Sequence, residues 1–289
     1  MIFKYSTKDA YFVILALGNL ALLIFATLSF GKIDIWQSVL LILLLCFAVT
    51  TNYQTVAHNF LHNPFFVSKK LNGLFSLVNT MILGVSQTLY QMHHMHHHRY
   101  NNDAKDPITG TTNDRTSTWR YGKQPDREEN IFTYTFVGFF RQDFMFYVHV
   151  VWSKKRHKQV YFETIAWLCF ALTMLYLNWQ GFLGAFLSVW YLGQCAALFE
   201  NYLEHHGSIP GDRKTDSVSC YNGFYNWVWF NNGYHQEHHF KPQVHWTKIK
   251  TIRSQLPPES HRRVCKGAHW FNFRPPPIAS YPLDESLQD

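Results

Sequence analysis

The sequence predicts an all-α integral membrane fold: four transmembrane helices in two hairpins, carrying a cytosolic helical cap. Three observations lead there. Four apolar runs, about 11–30, 35–51, 161–178 and 182–199, have the length of a bilayer crossing, since roughly 20 residues at 1.5 Å each cover a hydrocarbon core of about 30 Å. Aromatic residues make up 18% of the chain and charged residues only 16%, yet mean hydropathy is near neutral at −0.17. Membrane spans joined to a substantial polar portion give that mixture. The 26 Lys and Arg are also partitioned by the runs: two precede the first, thirteen lie between the second and third, ten follow the fourth, and only Lys32 falls on the other side. By the positive-inside rule both termini and the polar portion are cytoplasmic.

The first span, Tyr11–Phe30, is interrupted only by Asn19 and small polar residues. A cleaved signal peptide is the competing reading, but no small-residue cleavage site follows, and a second span begins at once after the turn Gly31-Lys32-Ile33-Asp34. Ile35–Thr51 is that second span. Leu71–Leu89 is apolar but broken by Gly73, Asn79, Gly84 and Gln87, which suits an interfacial or buried helix. Asn101–Asn130 is polar and reads as a loop-rich cap. Ile131–Val151 is aromatic but contains Arg141, Asp143 and His149, and reads as an interfacial helix. The third and fourth spans are joined by Trp179-Gln180-Gly181. Together these elements make one membrane domain over 1–274, with the cap at 52–160 and 200–274. The tail 275–289 opens with Pro275-Pro276-Pro277 and is expected to be poorly ordered.

Composition excludes several function classes. The formal charge is +7, but the basic residues flank apolar runs instead of forming a patch on a soluble fold, so no nucleic acid partner is expected. Cys46, Cys169, Cys195, Cys220 and Cys265 show no CxxC spacing, which argues against a disulfide framework or an iron–sulfur site.

The chemistry lies in four histidine groups. His93, His94, His96, His97 and His98 fill five of six consecutive positions, and His58/His62, Asn201/His205 and His235/His238/His239 repeat related spacings. On a helix, positions three or four apart share a face. His58 and His62 therefore point the same way, as do His94, His97 and His98, and His235, His238 and His239. Nine His and one Asn are too many for one ion, which takes three or four protein ligands, and suit two. Imidazole suits iron, and zinc is the rival ion by ligand type; zinc lacks redox chemistry. All four groups fall on one membrane face.

These segments resemble the integral-membrane fatty acid desaturase and hydroxylase superfamily. His94-Met95-His96-His97-His98-Arg99-Tyr100-Asn101-Asn102-Asp103 is similar to its HxxHHRxxND box, and Asn232-Gly233-Tyr234-His235-Gln236-Glu237-His238-His239-Phe240-Lys241-Pro242 to its NxGYHxEHHxxP box. Asn201-Tyr202-Leu203-Glu204-His205-His206-Gly207 resembles the NYxEHYG segment of alkane monooxygenases and the Asn-x-x-x-His pair of stearoyl-CoA desaturases. The resemblance runs from about Ile35 to Trp246. It implies a His-rich di-iron site whose two iron ions, with O2 as co-substrate, abstract hydrogen from an unactivated C–H bond. The implied ligands are His58, His62, His94, His97, His98, His205, His235, His238 and His239, with Asn201 a tenth. The frame His93-x-x-His96-His97 is also open, although the continuation through Asp103 favours the His94 frame. His206 departs from the Tyr of the alkane oxygenases.

Around such a site, His93, His96, His206 and His245 are candidates for supporting roles, and Asp103, Asp106, Glu204 and Glu237 for accepting the distal N–H of ligand rings. His149, His157, His261 and His269 match no box. Lys154-Lys155-Arg156-His157-Lys158 reads as a juxtamembrane cluster on anionic lipid, or as a docking site for an acidic electron donor. The expected activity is O2-dependent oxidation of a fatty acyl or other long aliphatic chain by a multi-pass membrane protein, foremost desaturation. A hydroxylase or alkane-type monooxygenase, an oxidative decarboxylase and a carotenoid-ring oxygenase share the ligand set. With no redox module in the sequence, a separate donor of ferredoxin, rubredoxin or cytochrome b5 type is implied. A membrane metal carrier is the reading from another class. It would place ionisable groups in the spans, where Asn19, Gln37, Thr173 and Gln194 are polar but uncharged.

Overall fold

The computed structural model describes residues 1–124 and 126–271. Two membrane hairpins form its base. The first joins α1 (Ala10–Ser29) to α2 (Ile35–His62) through the Gly31 turn, at φ +79°. Asp34 opens α2 by accepting from the Gln37 amide, and Gln37 answers through its side chain, so both ends of the cap are closed. Two further stretches follow in the cap, α3 (Lys69–Leu83) and α4 (Gln87–Tyr100). Next come the short α5 (Ile131–Val137) and α6 (Phe144–Ser153). The second hairpin joins α7 (His157–Leu177) to α8 (Trp179–His205). Short helices α9 (Gly223–Val228) and α10 (His235–Phe240) complete the cap, with a two-residue parallel pairing of Ser219–Cys220 with Val264–Cys265.

The hairpins are locked at their turns and along their length. Asn178 Nδ2 donates to the carbonyls of Thr27 and Phe30, both at 3.0 Å, which satisfies acceptors left over where α1 ends. Gly181 sits so close to the Thr27 carbonyl that no Cβ fits there. Asn19 Nδ2 donates to the Ala48 carbonyl at 3.1 Å, tying α1 to α2. Outward faces carry Ile14, Leu17, Leu40, Leu43, Ile165 and Leu172, all exposed. Such a surface is stable in lipid and not in water.

Helix length explains where the cap begins. The helix Ile35–His62 has 28 residues and Trp179–His205 has 27, about 40 Å each, some 10 Å more than a hydrocarbon core. Both therefore outrun the spans read from hydropathy, and their far ends carry histidines. α2 contains a wider, π-type turn at Asn52–Ala57, immediately before His58; such turns re-aim the residues that follow.

Three expectations need correction. Leu71–Leu89 is not one helix: α3 stops at Leu83, and Gly84 takes the left-handed conformation at φ +71° beneath the Trp190 ring, where a Cβ has no room. Ile131–Val151 is likewise broken between α5 and α6, because the Asp143 carboxylate accepts from the Phe146 amide and starts a new helix. Finally, the spans are not free of ionisable groups. Glu163 lies in α7, fully buried, and accepts from Ser76 Oγ (2.5 Å), Ser86 Oγ (2.5 Å), the Thr88 amide (2.9 Å), Thr88 Oγ1 (3.0 Å) and Gln159 Nε2 (2.9 Å). Ser86 is the N-cap of α4, so this carboxylate also faces the positive end of that helix. The proline run at 275–277 lies outside the described residues.

Candidate metal centre

Four helix ends meet above the hairpins, and each delivers imidazoles. α2 ends with His58 and His62, α4 carries His94, His97 and His98 on one face, α8 ends at His205, and α10 presents His235, His238 and His239. α4 is stopped directly after its histidines, because Asn101 and Asn102 adopt left-handed conformations at φ 48° and 53°. Asn tolerates that region better than other non-Gly residues.

The rings form two groups. In the first, nitrogens of His58, His62, His94, His98 and His238 all lie within 4.8 Å of one another; in the second, those of His97, His205 and His239 do. His235 adjoins the second group, with its Nε2 at 3.2 Å from His205 Nε2. The groups touch where the His98 and His239 rings approach to 4.4 Å between centroids.

The proton positions implied by the outer partners are informative. His58 Nδ1 reaches the Gln54 carbonyl (3.2 Å), His97 Nδ1 the Asp114 carboxylate (2.7 Å) and His205 Nδ1 the Asp216 carbonyl (3.3 Å). Acceptors at Nδ1 put the proton there and leave Nε2 with a bare lone pair. Yet His97 Nε2 and His205 Nε2 face each other at 3.0 Å, and His58 Nε2 faces His238 Nε2 at 2.7 Å. The opposed lone pairs of His97 and His205 repel unless a cation lies between them. His239 adds an unpartnered, buried Nε2, its Nδ1 being held by Asn101 Oδ1 at 3.2 Å. Nitrogens about 2.1 Å from one ion and at right angles to each other are about 3.0 Å apart, which is the observed spacing. The donor set therefore fits metal ions. Burial, reinforced by neighbouring rings, pushes His94, His98, His235, His238 and His239 well below the ordinary imidazole range. They stay in the neutral form that binds metal.

The other predicted residues fall in varied places. His93 and His96 turn away from the two groups, His93 to Gln142 (3.1 Å) on the wall of an adjoining cavity and His96 to the Asn113 carbonyl (3.1 Å); burial, reinforced by His97, takes His93 down to about 4. Asn201 donates to the Tyr134 hydroxyl at 2.7 Å beside the second group. Glu204 accepts from Asn232 at 2.7 Å and lies 3.4 Å from His235 Nδ1. Glu237 receives Ser219 and Tyr221 hydroxyls and, among the described residues, no imidazole. His206 pairs with Glu128, and His245 Nε2 meets Asp9 at 3.0 Å, tying the cap to the start of α1. Asp106 is exposed and caps its own turn through the Ile108 and Thr109 amides.

Sequence reasoning missed Asp114. Asp103, a candidate partner of the ligand rings by sequence, instead accepts from the Asn113 and Asp114 amides and so holds the loop that presents Asp114 to His97. Burial would raise the Asp114 carboxyl, but His97 and the Thr116 hydrogen bonds hold it well below the usual carboxylate range. Nothing in the spacing of a loop residue 17 positions from its partner signals that pairing.

A cavity of about 390 Å³ opens against both groups. His58, His94, His97 and His235 floor it, and Tyr53, Tyr90, Phe139 and Leu198 are among its walls.

The family model described as fatty acid desaturase matches residues 34–267. The chain belongs to that family. A relative, the sphingolipid delta(4)-desaturase of Schizosaccharomyces pombe (strain 972 / ATCC 24843), is 29% identical over 108 residues, covering 34% of this chain and 30% of that protein. No solved structure matches the chain. The histidine boxes here accompany four helices long and apolar enough to cross a membrane, and their rings converge in clusters able to hold metal ions.

Proposed function

We propose that the protein is a membrane di-iron oxidoreductase that uses O2 and electrons from a separate donor to desaturate a fatty acyl chain. The observation that carries this reading is the opposition of the bare Nε2 atoms of His97 and His205 within a cage of imidazoles against an apolar cavity. His58, His62, His94, His98 and His238 would hold one ion. His97, His205, His235 and His239 would hold the other, with Asn201 beside it. Family membership favours iron over zinc, because oxidising a C–H bond needs redox chemistry that zinc lacks.

Bound there, a pair of irons supplies from O2 and two electrons the oxidising power to take hydrogen from an unactivated carbon. The remaining work falls to the side chains. The Asp114 carboxylate and the Gln54 and Asp216 carbonyls hold the Nδ1 protons of His97, His58 and His205, orienting the rings and raising their basicity. Tyr53, Tyr90, Phe139 and Leu198 exclude water and fix an alkyl chain, whose target carbon must lie about 3–3.5 Å from the reacting atom. Overall, –CH2–CH2– with O2, two electrons and two protons becomes –CH=CH– and two waters. The electrons come from a partner of ferredoxin, rubredoxin or cytochrome b5 type. The match to a sphingolipid delta(4)-desaturase supports desaturation over hydroxylation. The Lys and Arg distribution supports a cytoplasmic cap and termini. A metal carrier is disfavoured: Glu163 has its donors in place already and marks no ion path.

The test is purified protein in nanodiscs, reconstituted with iron, a reducing system and O2, with products read by mass spectrometry. The reading expects an acyl chain lighter by two hydrogens. Retention of iron with only a hydroxylated product would move the assignment to hydroxylase, and metal flux without product would overturn it.

A further inference from the structure

A second cavity, of about 310 Å³, lies between α6 and α7. It shares Val85, Leu89 and Phe144 with the cavity over the histidines, so these three side chains form the partition between them. Val85 and Leu89 are set by the turn that Glu163 clamps through Ser86 and Thr88, and that part of the wall is stiff. Phe144 differs. It is the first residue of α6, directly after the Asp143 cap, and the residue is 58% exposed. A ring so little enclosed is not held by packing and can change rotamer on the nanosecond scale.

The setting of the second cavity points to its occupant. Its far wall includes Trp167, ten residues into α7, about 15 Å along the helix from His157. It therefore runs alongside a membrane span. Trp152 and Tyr161 on its rim are exposed, and Lys154, Lys155, Arg156 and Lys158 stand next to them. Amphipathic aromatics beside a basic cluster mark the lipid–water interface. The rest of the lining is mostly apolar, with Val148, Val151 and Val160 beside the polar Ser86, His157 and Thr164.

We propose that the second cavity is the far arm of the substrate site. The aliphatic chain of a membrane lipid lies over the histidine cluster, passes Val85, Leu89 and Phe144, and continues into the space between α6 and α7. Phe144 is the movable part of that passage and sets how much chain is admitted. The inference rests on the acyl-oxidising function proposed above.

Two measurements test it. The first is binding without turnover. Metal-free protein in nanodiscs of unbrominated lipid receives one equivalent of a fatty acid brominated near its methyl end or near its carboxyl end. Trp167 emission is isolated as the difference between wild type and Trp167→Phe. One brominated position should quench Trp167 at least about twofold more than the other, and Leu89→Phe, which narrows the passage, should abolish that contrast. Equal quenching by both acids, or a contrast untouched by Leu89→Phe, would overturn the proposal. The second is product profile with a mixture of acids of graded length. Phe144→Ala should raise the ratio of long- to short-chain product at least about threefold, and Leu89→Phe should lower it by as much. An unchanged ratio in both variants, with product formed by wild type, would overturn the proposal while leaving the function intact. Iron-loaded wild type that forms no product would count against the function, and the quenching contrast would then decide the cavity alone.

Discussion

Two buried polar clusters border the same helix, α4, and they are built on opposite principles. At its start, Glu163 accepts five hydrogen bonds from Ser76, Ser86, Thr88 and Gln159 and faces the helix N-terminus. That cluster is complete by itself. Farther along the helix, nine imidazoles converge, with ring nitrogens facing each other at 2.7–3.2 Å and with His239 Nε2 unpartnered. That cluster is incomplete by itself. A buried polar group without a partner costs about 1–3 kcal/mol, so a cage of this kind exists for a guest. The contrast separates stability from function on one helix: the first cluster sets where α4 sits, and the second sets what the protein holds.

The comparison breaks most sharply if a cage ligand can be removed without consequence. His94→Ala and His238→Ala should each abolish product and lower bound iron to about half or less, because losing a ligand exceeds the 10–100-fold typical of an outer partner; metal analysis and product assay on the same preparation check this. Asp114→Asn comes next. It keeps shape but loses the charge opposite His97 Nδ1, and should weaken metal binding about 10–100-fold, read by competition with a calibrated chelator.

Glu163→Ala sharpens the comparison from the other side. It strands buried donors on Ser76, Ser86 and Thr88, and should cost roughly 3 kcal/mol or more. The loss should be nearly equal with and without metal, measured by thermal unfolding of both forms followed by circular dichroism. If it appeared only in the metal-loaded protein, the two clusters would not be independent.

How much of this was legible beforehand follows from the physics of each signal. Apolar length and the i, i+3, i+4 spacing of the histidines are local, so the four spans and the shared faces of α2, α4 and α10 could be read directly. The sites where the chain breaks a pattern were less legible. Gly84 and Asp143 interrupt apolar runs that periodicity alone joins together. Asp114 and Glu163 act through partners far off in sequence, and a single carboxylate near the end of a hydrophobic run looks like an ordinary helix boundary. Asp103 was noticed for its place in the box, and its contacts lie one step farther out, on the Asp114 loop.

Acidification should have a moderate effect. In metal-free protein the cage imidazoles are held well below the ordinary value by burial, so below about pH 6.5 the unfolded chain binds more protons than the folded one. Folding stability should therefore fall as pH drops through that value and level off above it, as denaturation at a series of pH values would show. A stability that rose on acidification would mean the rings are already charged. The smallest effect belongs to Asp106→Ala: an exposed carboxylate engaged only with its own turn should leave iron content and melting unchanged.

The most direct test of the central claim is to count and identify the metal in protein purified without added chelator, with Mössbauer spectra of an iron-57-loaded sample. The account predicts about two irons per chain in an all-nitrogen and oxygen environment, lost in step with His94→Ala. A single zinc per chain, with no iron retained after loading, would contradict it.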